Sequence, residues 1–492
     1  MLESAKIRSG DGHGWRFAEF HVFGHLGRQL VVDVRRGRVF ELDEPATDFL
    51  TAGVAGASVS VAATDVRRKW GWRRLLRVWH ALQQQGLLTR QPPPRPEPPE
   101  PRLLPVTSLD LNVTHQCNLA CRYCYGAYGT LLTRTDGPFR YGSTEGWMTP
   151  EVARAAFSFL LKQSGDEPEI SLIFFGGEPL LNWRLIETMV PEFRRRAEEA
   201  KKKLSLSTAT NATLLTPRKL DFLVRNGIGI QFSIDGPAEV QDDQRCDRLG
   251  RGSHASVAEA AQRLFRARPR SVNARATITR RHLDLPAIVD ALLAMGFGSV
   301  HVEPATGIRN DYGLTEADLP ELKRQYTNLA EMFLARLRDG RLFNLSNFVK
   351  YVRNTHAPQA PRFHPCGAGR SYLCVAPDGR IYLCHRFTGS DEYSMGDAFE
   401  GLRDDLRRRI AVAHVDARPG CRDCWARYYC GGGCWRVNVD ATGSLEEPDR
   451  AFQCVLIRHV VELSMAINAH LADEEAEILA AEYERDRLPH EN

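Results

Sequence analysis

The 492-residue sequence has no run of about 18 or more apolar residues, so no segment reads as a membrane span. Its opening, MLESAKIRSGDGHGW, lacks the apolar core of a secretory signal. These two absences predict a cytoplasmic chain with no membrane partner. Net charge is scarce as well. Lys and Arg number 65 against 61 Asp and Glu, and the resulting +4 is too small to argue for nucleic acid. Disorder and collagen-like repetition are excluded by a composition of 43% hydrophobic and 26% charged residues. The length, set against about 150 residues per domain, predicts two or three domains. Cysteine is what the chain does have: 12 in all, eight of them between residues 366 and 454. Without an export signal, closely spaced thiols point to metal rather than to disulfides.

Eight of the 27 prolines lie in residues 91–105, QPPPRPEPPEPRLLP, which reads as an extended spacer. It divides residues 1–90 from the rest. That first segment shows strand-like alternation at Leu30, Val32 and Val34, a turn at Arg36-Gly37, and a second strand in RVFELD. A helical stripe of Leu75, Val78, Trp79 and Leu82 then runs to a stop at Gly86. The pattern predicts a small winged-helix-like domain. A locally basic run from Arg67 to Arg77 leaves a DNA-binding wing as its bland alternative, which the small net charge opposes.

Residues 106–310 alternate strands with helices. Strands are expected at 108–114, 170–176, 204–210, 228–235, 272–278 and 299–305, and Thr149-Pro150 should cap a helix with Val152, Ala155, Ala156, Phe159 and Leu160 on its buried face. Six such units predict an α/β partial barrel with reactive residues at the carboxyl ends of its strands. Residues 311–365 read as a helical bridge, 366–460 as a cysteine-rich domain too poor in apolar runs for a core of its own, and 461–492 as a helix and tail.

Two constellations carry chemistry. Cys117, Cys121 and Cys124 follow the first strand in CNLACRYC, and three thiolates suit a cubane iron–sulfur cluster that keeps one iron open to an external ligand. A zinc knuckle is the alternative. Downstream stand Cys366, Cys374 and Cys384, then Cys421, Cys424, Cys430 and Cys434, then Cys454. Eight thiolates suffice for two further cubanes, with two structural zinc sites as the alternative. Cys246 belongs to neither set and reads as a free structural thiol.

The order CxxxC-x-aromatic-C, FFGGEP at 174–179, STAT-Asn at 207–211, SIDGP and ARAT resembles radical S-adenosylmethionine enzymes. The resemblance implies a partial (β/α)6 barrel in which Cys117, Cys121 and Cys124 hold the catalytic cluster. It assigns S-adenosylmethionine contacts to Tyr123, Gly176, Gly177, Glu178, Pro179, Ser207, Thr210, Asn211, Asp235 and Arg275. The cysteine-rich part resembles the SPASM domain of peptide-modifying radical enzymes, opening C-x12-G-x4-C at Cys366, Gly379 and Cys384. By that resemblance Cys366, Cys374, Cys384 and Cys434 hold one auxiliary cluster and Cys421, Cys424, Cys430 and Cys454 a second. Three [4Fe-4S] clusters and S-adenosyl-L-methionine are thus the implied cofactors.

Across most of the chain the segments HVF, VFELD, LNVTHQCNLACRYCY, FFGGEPL, TNATLLT, SIDGP, PCGAG, LCHRFTGS and CW-x4-CGGGC are similar to maturation enzymes of the quinohemoprotein amine dehydrogenase small subunit. The implied activity is thioether formation between cysteine sulfur and carbon in a ribosomally made peptide or small subunit. The implied partners are that precursor, bound through the N-terminal domain by strand addition, and a reductant such as flavodoxin or ferredoxin. Carbon–carbon or carbon–oxygen bond formation is the alternative. A sulfatase-type formylglycine maturase is another, opposed by His385 where those enzymes carry Asp. A non-catalytic peptide-binding or electron-transfer protein would require damage to the S-adenosylmethionine-facing set, and none is seen.

Overall fold

The computed structural model describes residues 14–126, 146–269, 271–308, 310–356 and 360–486. The expectations for the first thirteen and last six residues lie outside these. Among the described residues, no helix is long and apolar enough to cross a membrane.

The N-terminal segment folds as strand and helix patterning requires. Short strands β1 (Arg16–Phe17) and β5 (Leu88–Thr89) pair antiparallel and close the unit. Between them β2 (Phe20–His25), β3 (Arg28–Asp33) and β4 (Arg38–Glu41) form an antiparallel meander, followed by helices Glu44–Val54, Val59–Trp70 and Trp72–Gln84. Gly37 makes the β3–β4 turn with φ +67°, where a Cβ would be strained. Alternation gives the meander two buried faces. Phe20, Val22 and Val31 pack on the unit's own helices, whereas Phe23, Leu30, Val32 and Val34 join the main core of the molecule.

The unit is therefore not held at a distance by its proline-rich spacer, as an isolated extended segment would hold it. Residues 91–105 have no regular secondary structure but lie along the body: Arg35 donates to the Pro93 carbonyl, and Arg407 donates to that of Leu104. The Arg427 guanidinium, fully buried, pairs with Glu19 at 2.6 and 3.0 Å, and Tyr429 donates to the Gly37 carbonyl at 2.9 Å.

Six strands follow in sequence order and run parallel: β6 (Ser108–Thr114), β7 (Glu169–Gly176), β8 (Lys203–Thr210), β9 (Gly229–Ser233), β10 (Val272–Ile278) and β11 (Ser299–Pro304). Helices separate them, and β12 (Asn344–Leu345) adds a parallel edge beyond β11. The helix after Thr149, Pro150–Gln163, starts as expected, with Thr149 Oγ1 accepting from the Val152 amide. Its buried face is turned by about one residue: Ala153 and Phe157 are buried, and Val152 and Ala155 only half-buried.

At its other edge the sheet continues into the cysteine-rich part. There β13 (Tyr372–Val375) pairs parallel with β6, and β14 (Arg380–Tyr382), β15 (Ser394–Asp397) and β16 (Gly401–Leu402) extend it antiparallel. The result is one open eleven-stranded sheet. Leu373, Val375, Ile381, Leu383 and Phe387 share the main core with the β6–β11 strands. The part that is too poor in apolar residues to build a core of its own borrows one. Helix Gln453–Asn468, which carries Cys454, then packs against both β2 and helix Leu319–Arg338.

Candidate functional site

A cavity of about 220 Å³ opens at the carboxyl ends of β7 to β11, under the loop that follows β6. Cys117, Cys121 and Cys124 line it from that loop. Burial pushes the Cys117 thiol up to about 12 and that of Cys121 well above the free value, and the neighbouring thiols add to both shifts. Sulfurs that raise one another's pKa are close together, and such a set ionises fully only around a cation.

Glycine brings the opposite wall near this loop. A Cβ on Gly176 (φ +140°) would stand 2.2 Å from the Thr114 carbonyl, and one on Gly177 would stand 2.3 Å from that of Gln116. Only bare backbone lets the end of β7 lie against the cysteine loop. Thr210, Asn211, Tyr123 and Arg275 also line the cavity. Asn211 Nδ2 lies 3.8 Å from the Cys117 sulfur and donates to Asn118 Oδ1 at 3.1 Å. Arg275 faces Glu303 at 3.5 Å, and Glu303 also accepts from His301 at 2.9 Å. Although burial opposes it, the His301 bond and the Arg275 charge hold the Glu303 carboxyl well below its ordinary range.

Four residues expected at the cofactor stand behind the wall instead. Glu178 is fully buried, and its carboxylate accepts from the Leu180 and Asn211 amides and from Thr210 Oγ1 at 2.7–3.0 Å. It ties the end of β7 to the end of β8, and burial raises its pKa against those three bonds. Pro179 begins the short turn Pro179–Asn182, and Ser207 is buried within β8; neither lines the cavity. Asp235 is the most instructive. Fully buried, it accepts from Tyr123 Oη (2.7 Å), Gln244 Nε2 (2.9 Å) and the Thr277 amide (2.8 Å), and it pairs with Arg245 at 3.0 Å. It is a hub under the cavity, and Arg245 is the charge it presents there. Burial opposes that charge, but Asp235 outweighs it and keeps Arg245 firmly protonated.

Sequence reasoning passed over Arg245, Gln231, Ser233, Thr277 and Glu303, all on the cavity wall. The signal for three of them was strand alternation. Once Arg275 is placed inward, Thr277 follows at i+2, and Gln231 and Ser233 share a face by the same rule. Arg245 has no such cue, because it ends a short helix and reaches in from a loop. Its neighbour Cys246 is buried, 3.7 Å from the Ala120 carbonyl, and packs against the backbone of the cysteine loop.

The cavity also receives His385 and Arg386 from the cysteine-rich part. His385 Nδ1 lies 2.8 Å from both Tyr372 Oη and the buried Asp110 carboxylate, and its ring packs 4.5 Å from that of Phe175. Arg386 Nη1 lies 3.6 Å from the Cys434 sulfur.

Behind it the remaining cysteines fall into two groups. Burial raises Cys366 to about 11 and Cys384 further, and Cys434 adds to both. Cys374 is set slightly apart: strand register places it opposite Asp110 and Tyr382, its sulfur lies 3.6 Å from Thr388 Oγ1, and Asp110 acts on it before Cys384 does. Cys421, Cys424, Cys430 and Cys454 form a second group. Burial raises Cys421 to about 11 and lifts Cys424 and Cys454, and Cys430 adds to all three.

Residues 111–301, from β6 to β11, match the model of the radical SAM superfamily, a span that holds the parallel sheet and its cysteine loop. The chain is similar to PqqA peptide cyclase of Granulibacter bethesdensis, at 24% identity over 379 residues, covering 75% of this chain and 92% of that one. It is likewise similar to the serine-type anaerobic sulfatase-maturating enzyme of Klebsiella aerogenes, at 24% identity over 383 residues, covering 74% and 86%. In fold it resembles the solved structure of a histidine-tagged anSMEcpe with bound AdoMet, at a TM-score of 0.64 and 19% identity, covering 79% of this chain and all of that one. A radical SAM domain holds a [4Fe-4S] cluster and S-adenosylmethionine. The donor set here fits both: three clustered thiols for the cluster, and a glycine cradle whose added Cβ atoms would collide.

Proposed function

We propose that the chain is a radical SAM peptide maturase that forms thioether cross-links between cysteine sulfur and carbon in a ribosomally made peptide or small protein subunit. The observation that carries this reading is the shared cavity. Its walls come from the three-cysteine loop on one side and from His385 and Arg386, beside the second cysteine group, on the other. A peptide side chain in this cavity would lie between the three-cysteine loop and Arg386, which adjoins the Cys434 sulfur. The relatives support a peptide substrate by what their names describe, a peptide cyclase and a sulfatase-maturating enzyme. The quinohemoprotein-type motifs favour the sulfur–carbon bond over its alternatives.

Held beside the three-cysteine loop and the glycine cradle, S-adenosylmethionine would supply one-electron hydrogen-atom abstraction from the substrate, with a flavodoxin or ferredoxin as the electron source. The protein's own part is to position. Arg245, fixed by Asp235, and Arg275, fixed by Glu303, supply positive charge for a carboxylate in the cavity. His385, oriented by Asp110 and Tyr372, and Phe175, whose ring packs against it at a tilt, narrow one side of the cavity. In balance the peptide loses two hydrogens, one as an atom and one as the thiol proton, and one electron returns to an acceptor. Cys366, Cys384 and Cys434, with Cys374, would hold one auxiliary cluster. Cys421, Cys424, Cys430 and Cys454 would hold another.

The N-terminal unit would bind the precursor. Among the described residues, strand β4 pairs only with β3, so its outer edge, with half-exposed Val39 and Phe40, can accept a further strand. A formylglycine maturase is the second reading, because of the sulfatase-maturating relative; His385 in place of Asp stands against it.

The test is anaerobic. Reconstituted protein should bind about 12 irons, four for each of three cubanes. With S-adenosylmethionine, dithionite and the peptide encoded beside the gene, it should release 5′-deoxyadenosine and a peptide lighter by two hydrogens whose cysteines no longer alkylate. Alkylatable cysteines in a lightened peptide would move the bond to carbon–carbon or carbon–oxygen. No deoxyadenosine at full iron loading would overturn the enzyme reading.

A further inference from the structure

A cluster of metal-ligand type lies outside the cavity, where the N-terminal unit meets the helix that carries Cys454. His21 and His25 are four apart on β2 and share a face, and His459 and Glu462 are three apart on helix Gln453–Asn468 and share a face. The two faces meet. Donor atoms of His25, His459 and Glu462 all lie within 4.8 Å of one another, and His25 Nε2 is 3.0 Å from Glu462 Oε2. The rings of His25 and His459 pack edge to face at 5.1 Å.

We propose that His25, His459 and Glu462 form a divalent-cation site, of the kind that takes zinc, joining the N-terminal unit to the body of the protein.

Two features mark this cluster as built rather than accidental. The first is its outer layer. Metal-binding histidines and carboxylates are usually oriented by a second hydrogen bond from behind. His459 Nε2 is 2.9 Å from the Lys323 carbonyl, which can only accept, so the proton sits on Nε2 and Nδ1 keeps its lone pair. Glu462 accepts from His21 Nε2 at 2.8 Å through its other oxygen, and the His21 ring is pinned flat against Trp425, with centroids 4.1 Å apart. The second feature is charge. Glu462 is half-buried and pairs with no Lys or Arg among the described residues; its partners are His21 and His25. A divalent ion would add positive charge beside this carboxylate.

Two imidazoles, one carboxylate and one water make a four-coordinate set that suits zinc. Ligands of a tetrahedral zinc stand about 3.4 Å apart, so the donors close in by small side-chain rotations. His25 is about a fifth exposed, which leaves a path for the ion and a place for the water. The competitors for zinc are the cysteines, so the test must begin with iron–sulfur-loaded protein.

Full-length protein, loaded with iron and sulfide anaerobically, would be incubated with Zn²⁺ and desalted over a weak chelator, and zinc and iron counted by mass spectrometry. We expect one zinc per chain in the wild type. His25→Gln, His459→Ala and Glu462→Gln should each retain less than about a tenth of it at unchanged iron content. His25→Gln, on a partly exposed strand position, guards against loss of fold in the buried His459 variant. X-ray absorption at the zinc edge should give a nitrogen and oxygen shell at about 2.0–2.1 Å with no sulfur at about 2.3 Å. Zinc should raise the wild-type melting temperature and leave that of His25→Gln unmoved. A sulfur shell, equal zinc in all variants, or no retained zinc in the wild type would overturn the proposal.

Discussion

The cysteine loop after β6 and the group at Cys421, Cys424, Cys430 and Cys454 are both sets of mostly half-buried thiols, but they stand in different surroundings. The first lines a cavity into which the ends of four strands, β8 to β11, project polar side chains. The second is packed between short helices, the helix that bears Cys454 and the N-terminal unit, and does not line that cavity. Number of donors follows the same division: three sulfurs face the cavity and four face one another. An open set leaves a coordination position for a reactant, and a closed one is suited to structure or to electron transfer. On the proposed function, the fold would separate chemistry from support in two sites built from the same residue.

The strongest way to break this comparison is to remove one thiol from each site. Cys117→Ala should abolish 5′-deoxyadenosine release, a loss of more than about a thousandfold, because no other site offers an open position next to the glycine cradle. Its melting temperature should change little, since the main core is built independently of the loop. Cys424→Ala should do the reverse. Iron should fall by about four per chain, stability should drop, and cleavage of S-adenosylmethionine without peptide should survive at a measurable rate. Iron counts, thermal melts and deoxyadenosine assays on the two variants decide it. Equal loss of cleavage in both would mean that the sites are not separable.

A smaller effect tests how the open site is shaped. Gly176→Ala places a Cβ 2.2 Å from the Thr114 carbonyl at a φ of +140°, so the end of β7 must move away from the cysteine loop. Overpacking of this kind costs about 1–3 kcal/mol, which corresponds to a roughly ten- to hundredfold weaker Kd for S-adenosylmethionine, measured by equilibrium dialysis at unchanged iron content. Unchanged affinity would show that the cradle does not carry the contact.

This glycine pair also marks what was legible in the sequence. Strand positions, the three-cysteine loop and the glycine turn are local features, written in periodicity and spacing, and β6 and β10 begin and end where alternation placed them. What spacing could not give is which side of a wall a polar residue stands on. Asp235 and Glu178 sit at strand ends beside the cavity, yet their carboxylates turn inward because buried donors await them: Tyr123 and Gln244 for one, Thr210 and the Asn211 amide for the other. Those donors come from strands and loops distant in sequence, and no periodicity links them. The docking of the N-terminal unit was hidden for the same reason. Residues 91–105 carry no regular secondary structure, and Glu19 and Arg427, 408 residues apart, decide where that segment leads.

That ion pair supplies the smallest and most conditional effect. Arg427 is fully buried and also faces Asp416 at 3.3 Å, so Glu19→Gln leaves it only partly compensated. Removing one partner of a buried pair costs about 3–5 kcal/mol when nothing else compensates, and Asp416 brings the expected loss to the lower end, about 3 kcal/mol or less. Burial tends to raise the Glu19 pKa, but the bond to Arg427, followed by that to Arg35, lowers it below the ordinary 4.5. The unfolded chain therefore binds this proton at higher pH than the folded one does. The stabilisation is complete above about 4.5 and is lost as pH falls through the lower, folded value. Wild-type protein should lose melting temperature below pH 4.5 more steeply than Glu19→Gln, and the two should converge at the acid end. Parallel curves would mean that the N-terminal unit is held by its apolar face, Phe23, Leu30, Val32 and Val34, and that the ion pair merely sets its angle on the body.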